Sequence, residues 1–542
     1  MGQHARTRSF YDRLADVLPL STEFTFHHVS TPPTKSDPLF ASAPGEKKQR
    51  TYCESHFLTI STHLSTEQGR RHVLVYAIEI LIYTTKSLTT LFVAKADSTG
   101  FLQSTKADAR PTVSPLRVIT SIFISWLSEC RQRTKVPLVV SLFARAQDQY
   151  LFPGSVENST KHVLDDRQLI RWWCKTLDPV LRRSPILGVK EDGSSTDTKA
   201  QAFVIVPGHD KYETTSFFPP SWRSDPTDAP KWLYGHPLWE IAPNPAGPPR
   251  CLVPHFPDDP KARYLDELDD EIPDSATSST LFSPSKRGRG MWTSIKTLDQ
   301  FWETMAFRQE CASGRLVGFI WVLFTPANAN SQQSTGLSSH LTPEPGPEPM
   351  RASFSNKSRL TIKPSGSTQS KTRSQKKKLT GRIVPRMPKI KSTTSAEPLT
   401  SMSETSPYYR WTSEGRGQVI VDYPSYLRVH DLLLRLDFAT QEAAIRSTYK
   451  WVDEVRVIAG VKGDWGKLIV GRSPIAAQQH NPTTLSNDKL SPNDLSGMIV
   501  RKKRKADQGA TASQTSSSDP TPTPAVSMLN QGLIRKKPKT DT

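Results

Sequence analysis

Most of the features that announce a chemistry are missing from this 542-residue chain. Cysteine is scarce: Cys53, Cys130, Cys174, Cys251 and Cys311 are widely spaced, odd in number and form no C-x-x-C pair. That excludes a disulfide framework and a zinc knuckle, and it fits a reducing compartment. Long apolar runs are also lacking. The longest, HVLVYAIEILIY at 72–83, is too short to cross a bilayer as a helix and carries Glu79. The N-terminal MGQHARTRSFYDRLADVLPL has no unbroken apolar core of signal-peptide type. A soluble, intracellular protein without a membrane partner is expected. There is no G-x-x-x-x-G-K-[ST] loop, no G-x-G-x-x-G after a strand, no H-E-x-x-H and no G-x-S-x-G. These absences remove the commonest nucleotide, zinc-hydrolase and serine-hydrolase signatures. His56 and His63 are too loosely placed to suggest a metal, and none is expected.

Positive charge and proline are abundant. Lys and Arg number 71 against 52 acids, a net charge of +19 that points to an anionic partner such as nucleic acid or nucleoprotein. The 44 prolines and 36% hydrophobic content are those of a chain that is not globular throughout. Residues 351–392 hold thirteen Lys/Arg and no Asp or Glu, within a stretch from 326 to 406 that has no hydrophobic periodicity. It reads as a disordered basic insertion, and 473–542 as a disordered basic tail. The tail carries RKKRK at 501–505 and RKKPK at 535–539, clusters that suit nuclear import or attraction to chromatin, though a solubilising tail is the plainer account.

The remainder alternates strand and helix patterns. Phe10, Leu14, Val17 and Leu18 predict a short amphipathic helix. HFLTIST, HVLVYAIEILIYTT and TTLFVAKA predict a strand meander, and RVITSIFISWLSEC a helix packed on it. VPLVVSLFARA, AFVIVPG and RLVGFIWVLF predict further strands. DDRQLIRWWCKTL predicts a helix opened by an Asp165/Gln168 capping box. The stretch 221–257 reads as irregular, TLDQFWETMAFRQECASG as a helix ending near Gly314, and SYLRVHDLLLRLDF and QEAAIRSTYKWV as helices. The expected fold is one α/β domain, a central mixed β-sheet flanked by helices, built from 1–325 and 407–472, because the second block alone is too small to bury its apolar helices.

Four segments combine charge with aromatics. In AKADSTGF, Asp97 follows a buried strand; it is an Asx-turn residue or a carboxylate presented where ligands bind. In FARAQDQYLFPGS, Arg145 and Tyr150 belong to an exposed loop or to a phosphate site with an aromatic wall. In TKHVLDDRQLIRWWCKTL, Lys161 and His162 precede a helix start suited to phosphate, and Trp172 and Trp173 are core or lining. In FPDDPKAR, Asp258 and Asp259 cap a helix opened by Pro260, which leaves Lys261 and Arg263 to be explained.

Taken in order, K-A-D-x-x-G at 95–100, Q-Y-L-F-P at 149–153, K-H-x-L at 161–164, L-x-x-W-W at 169–173 and F-P-D-D-P-K-A-R at 256–263, with V-L-P-L-S-x-E-F at 17–24, resemble the fungal histone H3 lysine acetyltransferases of the chaperone-dependent type. The likeness spans most of 10–325, and a fainter one points to the metazoan coactivator acetyltransferases. The resemblance implies transfer of acetyl from acetyl-CoA to lysine fifty-six of H3, with some members also modifying tail lysines, on H3–H4 held by histone chaperones in the nucleus. It implies catalytic roles for Asp97, Trp173, Asp258 and Asp259, and an acetyl-CoA site of Lys95, Ala96, Phe143, Arg145, Tyr150, Lys161, His162, Trp172 and Arg263. It implies that Lys261 is acetylated by the enzyme itself beside Asp259, while Arg263 stays charged and reaches a CoA phosphate. Two competing readings are a non-catalytic chromatin-binding protein on the same fold, and a nucleic-acid-binding protein that stacks bases on its aromatics. Against the latter, many of the aromatics lie in apolar runs.

Overall fold

A computed structural model describes residues 9–43, 46–67, 69–102, 114–183, 198–272, 291–308, 315–326 and 402–474. All but the margins of the insertion expected over 326–406 and of the tail expected over 473–542 lies outside the described residues, as do both tail basic clusters.

Alternation of apolar and polar residues builds the sheet. Strands β1 (Glu23–Ser30), β2 (Thr34–Ser36), β3 (Thr51–Thr66), β4 (Gly69–Thr84) and β5 (Thr89–Ser98) come first, then β6 (Leu138–Arg145), β7 (Thr198–Ile205), β8 (Trp232–Tyr234), β9 (Val317–Pro326), β10 (Val419–Ile420) and β11 (Lys467–Val470). Among the described residues they form one mixed sheet in the order β10-β1-β3-β4-β5-β6-β9-β7-β8, with β11 on β1 and β2 on β3. β3, β4 and β5 form the expected antiparallel meander. β9 shows why its run is apolar throughout: Phe319, Trp321 and Leu323 enter one hydrophobic cluster, and Ile320, Val322 and Phe324 the other. A strand covered on both faces has no polar side to show.

One cover is made by α1 (Phe10–Val17), α2 (Pro115–Arg131), α3 (Asp166–Arg183), α9 (Tyr423–Leu433) and α10 (Gln441–Ile458). The other comes from α5 (Leu238–Ile241), α6 (Pro249–Leu252), α7 (Pro260–Asp270) and α8 (Leu298–Ala306), with α4 (Lys211–Thr215) between β7 and β8. The Asp165/Gln168 box is reciprocal: Gln168 N donates to Asp165 Oδ1 at 2.7 Å, and Asp165 N to Gln168 Oε1 at 3.2 Å. Two expectations need correction. α8 stops at Ala306, where the Phe307 amide turns back to Thr304, well short of Gly314. The stretch 221–257 is not merely irregular, because it carries β8, α5 and α6, elements of only three or four residues that leave no periodicity to read.

The chain after 402 completes the sheet rather than standing apart. β10 adds to β1 in parallel at Val29 and Ser30, and β11 adds antiparallel at Glu23–Phe26. A sealed polar cluster fastens it. Arg131 of α2 pairs with Glu54 of β3 through Nε, donates again from one NH2 to Glu54 at 3.1 Å, and donates to the Gly415 carbonyl at 2.8 Å. His56 lies 3.5 Å from the same guanidinium, and His28 reaches His56 at 3.0 Å. A Cβ on Gly415 would strike this guanidinium, so glycine is required by the close approach. Burial pushes the Glu54 carboxyl up, but Arg131 and His56 more than reverse this and hold it below its ordinary value. Burial holds His28 and His56 below the usual histidine range.

Candidate active site

Strand pairing opens a cleft in the middle of the sheet. β5 runs parallel to β6 only from Thr89–Leu138 to Val93–Leu142; β6 then continues along β9 as far as Arg145–Val317. Beyond Val93, β5 stays paired with β4, but no described strand pairs its other side. A register shift lies there too: Glu79 pairs with Lys95 and Ile80 with Val93, so Ala94 is an inserted residue. Bulges of this kind bend a strand and re-aim its side chains. The open edge borders a cavity of about 360 Å³, lined by residues 93–98 of β5, Phe143 and Arg145 of β6, Tyr150, Lys161 and His162 of the following loops, and Trp172 and Trp173 of α3.

Asp97 organises this space. Its Oδ2 accepts from the backbone amides of Tyr150 (2.8 Å), Leu151 (2.9 Å) and Phe152 (3.3 Å). Its Oδ1 accepts from Ser98 N at 2.8 Å and from Lys161 Nζ at 3.0 Å. Lys161 also donates to Ser155 Oγ at 2.7 Å. Both side chains are buried, Asp97 7% and Lys161 5% exposed, so their charges are tolerated through this set of partners. Gly100 lets the loops close: it has φ +87°, and a Cβ there would lie 2.6 Å from the Lys161 backbone. Trp172 and Trp173 meet edge to face at 4.9 Å, one partly exposed and the other buried. Burial pushes the Tyr150 hydroxyl up to about 12, so it stays a neutral donor, and it donates to the Arg145 carbonyl at 3.2 Å.

Of the residues singled out from sequence, Lys95, Ala96, Asp97, Phe143, Arg145, Tyr150, Lys161, His162, Trp172 and Trp173 come together around the cavity. Asp258, Asp259, Lys261 and Arg263 are absent from its lining and form a neighbouring group at the start of α7. Asp259 caps α7, accepting from Lys261 N at 2.8 Å, and pairs with the buried Lys261 ammonium, which lies 4.4 Å from the centre of the Phe319 ring. Asp258 is 69% exposed and reaches Lys95 Nζ at 2.9 Å, which ties this group to the cavity wall. Arg263 points to solvent, 71% exposed and 3.5 Å from Glu267. The physical reason is helical: two residues turn a helix by about 200°, so Lys261 and Arg263 take opposite faces.

Some contributors were not singled out from sequence. Asp166 holds the two walls together, accepting from Ala146 N and Leu316 N at 3.0 Å each. Glu79 stands in the sequence as the one acid in an apolar run; in the sheet it is buried opposite Lys95. Tyr426 and His430 gave no signal, because their partners are more than 300 residues away in the chain.

The mixed sheet splays at a bulged strand, and the cavity beneath has aromatic and cationic walls, a lining that suits an extended ligand with anionic groups. The Histone acetyltransferase KAT11-type domain model matches residues 10–137 and 128–454, and the chain belongs to that family of protein lysine acetyltransferases. It is 40% identical to Histone acetyltransferase rtt109 of Aspergillus flavus over 97% of this chain and 98% of that one. It is 31% identical to Histone acetyltransferase rtt109 of Schizosaccharomyces pombe over 46% of this chain and 56% of that one. The crystal structure of Rtt109 from Aspergillus fumigatus superposes with a TM-score of 0.65 at 39% identity, covering 86% of this chain and all of the other. Within the described residues no helix is long and apolar enough to cross a membrane.

Proposed function

We propose that the cavity holds acetyl-CoA and that the acceptors are lysines of histone H3, lysine fifty-six first, on H3–H4 brought by a histone chaperone in the nucleus. The observation that carries this is the unpaired edge of β5 from Ala94 to Ser98 facing the cavity. A pantetheine arm has two amides and matches such an edge as an added strand would. The volume suits that arm, leaving the nucleotide toward Arg145 and the exposed His162. Acetyl-CoA supplies an acetyl group already activated as a thioester. The protein's own work is then alignment and care of the acceptor amine, whose ammonium has an ordinary pKa of about 10.4. The tryptophan-lined passage lowers that value by desolvation. Asp97, with five donors around it, holds the Tyr150–Phe152 loop and Lys161 in place rather than taking a proton. Asp258 and Asp259 are the carboxylates beside the acceptor path.

Lys261 is itself acetylated in this reading. Neutralising it removes a buried cation and leaves an amide that Asp259 holds by hydrogen bonding. The segment 327–401 is not needed for catalysis, and the tail clusters direct the protein to the nucleus. The test is acetyl transfer from labelled acetyl-CoA to H3–H4, with and without a chaperone, for the wild type and Asp97→Asn. Chaperone-stimulated labelling of H3 that the substitution removes is expected; no labelling by a folded wild type would leave a histone-binding protein. Peptide mass spectrometry that found Lys261 unmodified in fully active enzyme would remove the acetyl-lysine reading. A soluble protein lacking 327–401 should still bind acetyl-CoA.

A further inference from the structure

Behind the Lys95 wall lies a polar cluster to which acetyl transfer, as described so far, gives no task. The Tyr426 hydroxyl of α9 donates to Glu79 Oε1 at 2.8 Å. Glu79 Oε2 lies 3.4 Å from Lys95 Nζ, and Lys95 reaches on to Asp258 at 2.9 Å. His430, one helical turn after Tyr426, places Nε2 3.8 Å from the same Glu79 oxygen. Glu79, Tyr426 and His430 are buried. Three stretches of chain, on either side of the 327–401 segment, therefore meet at one carboxylate.

Packing alone does not account for this. Glu79 sits on β4 between Ile78 and Ile80, both fully buried, where another aliphatic residue would serve the core, and a buried carboxylate is costly unless held. The inserted residue Ala94 brings Lys95 opposite Glu79. Asp258 has φ +57°, a left-handed conformation rare for a residue with a side chain, directly before the cap of α7. Such conformations persist where the surroundings over-determine them, and the pair with Lys95 is one such restraint. The Lys95 ammonium is held above its ordinary pKa: burial opposes its charge, but Glu79 and Asp258 outweigh it. Asp258 in turn presents an exposed carboxylate whose charge is felt at Tyr150 in the cavity lining.

We propose that Glu79 and Tyr426 are positioning residues for acetyl transfer: through Lys95 they hold the exposed Asp258 carboxylate beside the cavity, where it receives the cationic acceptor side chain. This rests on the acetyl-transfer reading of the cavity. The hydroxyl of Tyr426 fixes which way the Glu79 carboxylate faces, Glu79 fixes the ammonium, and the ammonium fixes Asp258. The device acts on the acceptor, not on the acetyl donor.

The test is steady-state transfer to H3–H4 at saturating acetyl-CoA, with acetyl-CoA affinity measured separately by calorimetry. Tyr426→Phe keeps the buried ring and removes only the hydroxyl. It should raise the KM for H3–H4 about three- to tenfold while kcat and the acetyl-CoA Kd stay within about twofold. Asp258→Asn, at an exposed position and with a residue that tolerates the left-handed backbone, should do the same. Lys95→Met, which removes the cation between Glu79 and Asp258, should also raise the KM for H3–H4. A merely structural role would lower kcat with the folded fraction and leave KM alone. Wild-type KM in both Tyr426→Phe and Asp258→Asn would overturn the inference, as would a change confined to acetyl-CoA affinity. In either case wild-type turnover would leave the acetyltransferase reading standing, whereas an inactive folded wild type would remove both.

Discussion

Two of the buried ion-paired clusters among the described residues are used differently. In the sealed one, Glu54, Arg131, His56 and His28 bond one another and the Gly415 carbonyl, and all are closed off from solvent. In the open one, Asp97 and Lys161 are also buried, yet they border the cavity; Asp97 accepts from backbone amides of its wall, and Lys161 donates to Asp97 and to Ser155 Oγ. Both meet the requirement that a charge leaving water be paired and hydrogen-bonded. The first uses it to lock the returning chain to β3 and α2; the second uses it to shape a site. Buried charge alone therefore does not mark function; what marks it is whether the pair adjoins a space.

That contrast is best broken from the sealed side first. Glu54→Gln keeps the shape but leaves the Arg131 guanidinium buried without its counter-charge, and should cost about 3–5 kcal/mol of folding free energy in urea denaturation. The protein that does fold should keep its KM for H3–H4; a selective change in KM would erase the distinction. Asp97→Asn comes next. It turns an amide NH2 toward Lys161 or toward the wall amides, and should cost about 2–3 kcal/mol, by the same denaturation assay. Unlike Glu54→Gln it should also lower kcat/KM per folded molecule by more than about tenfold.

Acid should act on the sealed cluster. Glu54 has a folded value below its ordinary one, so its contribution is present above about pH 4.3 and is lost as pH falls through the folded value. His28 and His56 are likewise depressed: they stay neutral in the fold while the unfolded chain takes protons below about pH 6.5, so stability falls with pH from there. Between pH 7.5 and pH 5 the loss should be about 2 kcal/mol for each histidine, about 4 kcal/mol for the two, read from unfolding free energies at the two pH values. An unchanged free energy would show that these histidines take no proton on unfolding. The smallest stability effect belongs to Asp258→Asn. An exposed pair contributes less than about 1 kcal/mol, so its melting temperature should barely move while its KM for H3–H4 rises.

Much of the cavity was legible residue by residue, since Asp97, Tyr150, Lys161, Trp172 and Trp173 lie in short segments with a distinctive order of charge and aromatic. Their division of labour was not. From the sequence Asp97 reads first as a turn residue and second as a carboxylate presented to a ligand, and only the fold brings three loop amides to it. Lys261 and Arg263 read as one motif until the helix sends them to opposite faces.

By itself the sequence determined the elements that depend on neighbours: the alternating strands, the Asp165/Gln168 box at α3 and the Asp259–Pro260 start of α7, because alternation and capping act within a few residues. Only the tertiary structure decided that β5 and β6 part after Val93, that Glu79 meets Tyr426 across the sheet, and that Asp258 stands exposed while Asp259 is buried. Those outcomes depend on which strands share an edge and which helix covers which face, and the free energy that settles them is that of packing the whole core.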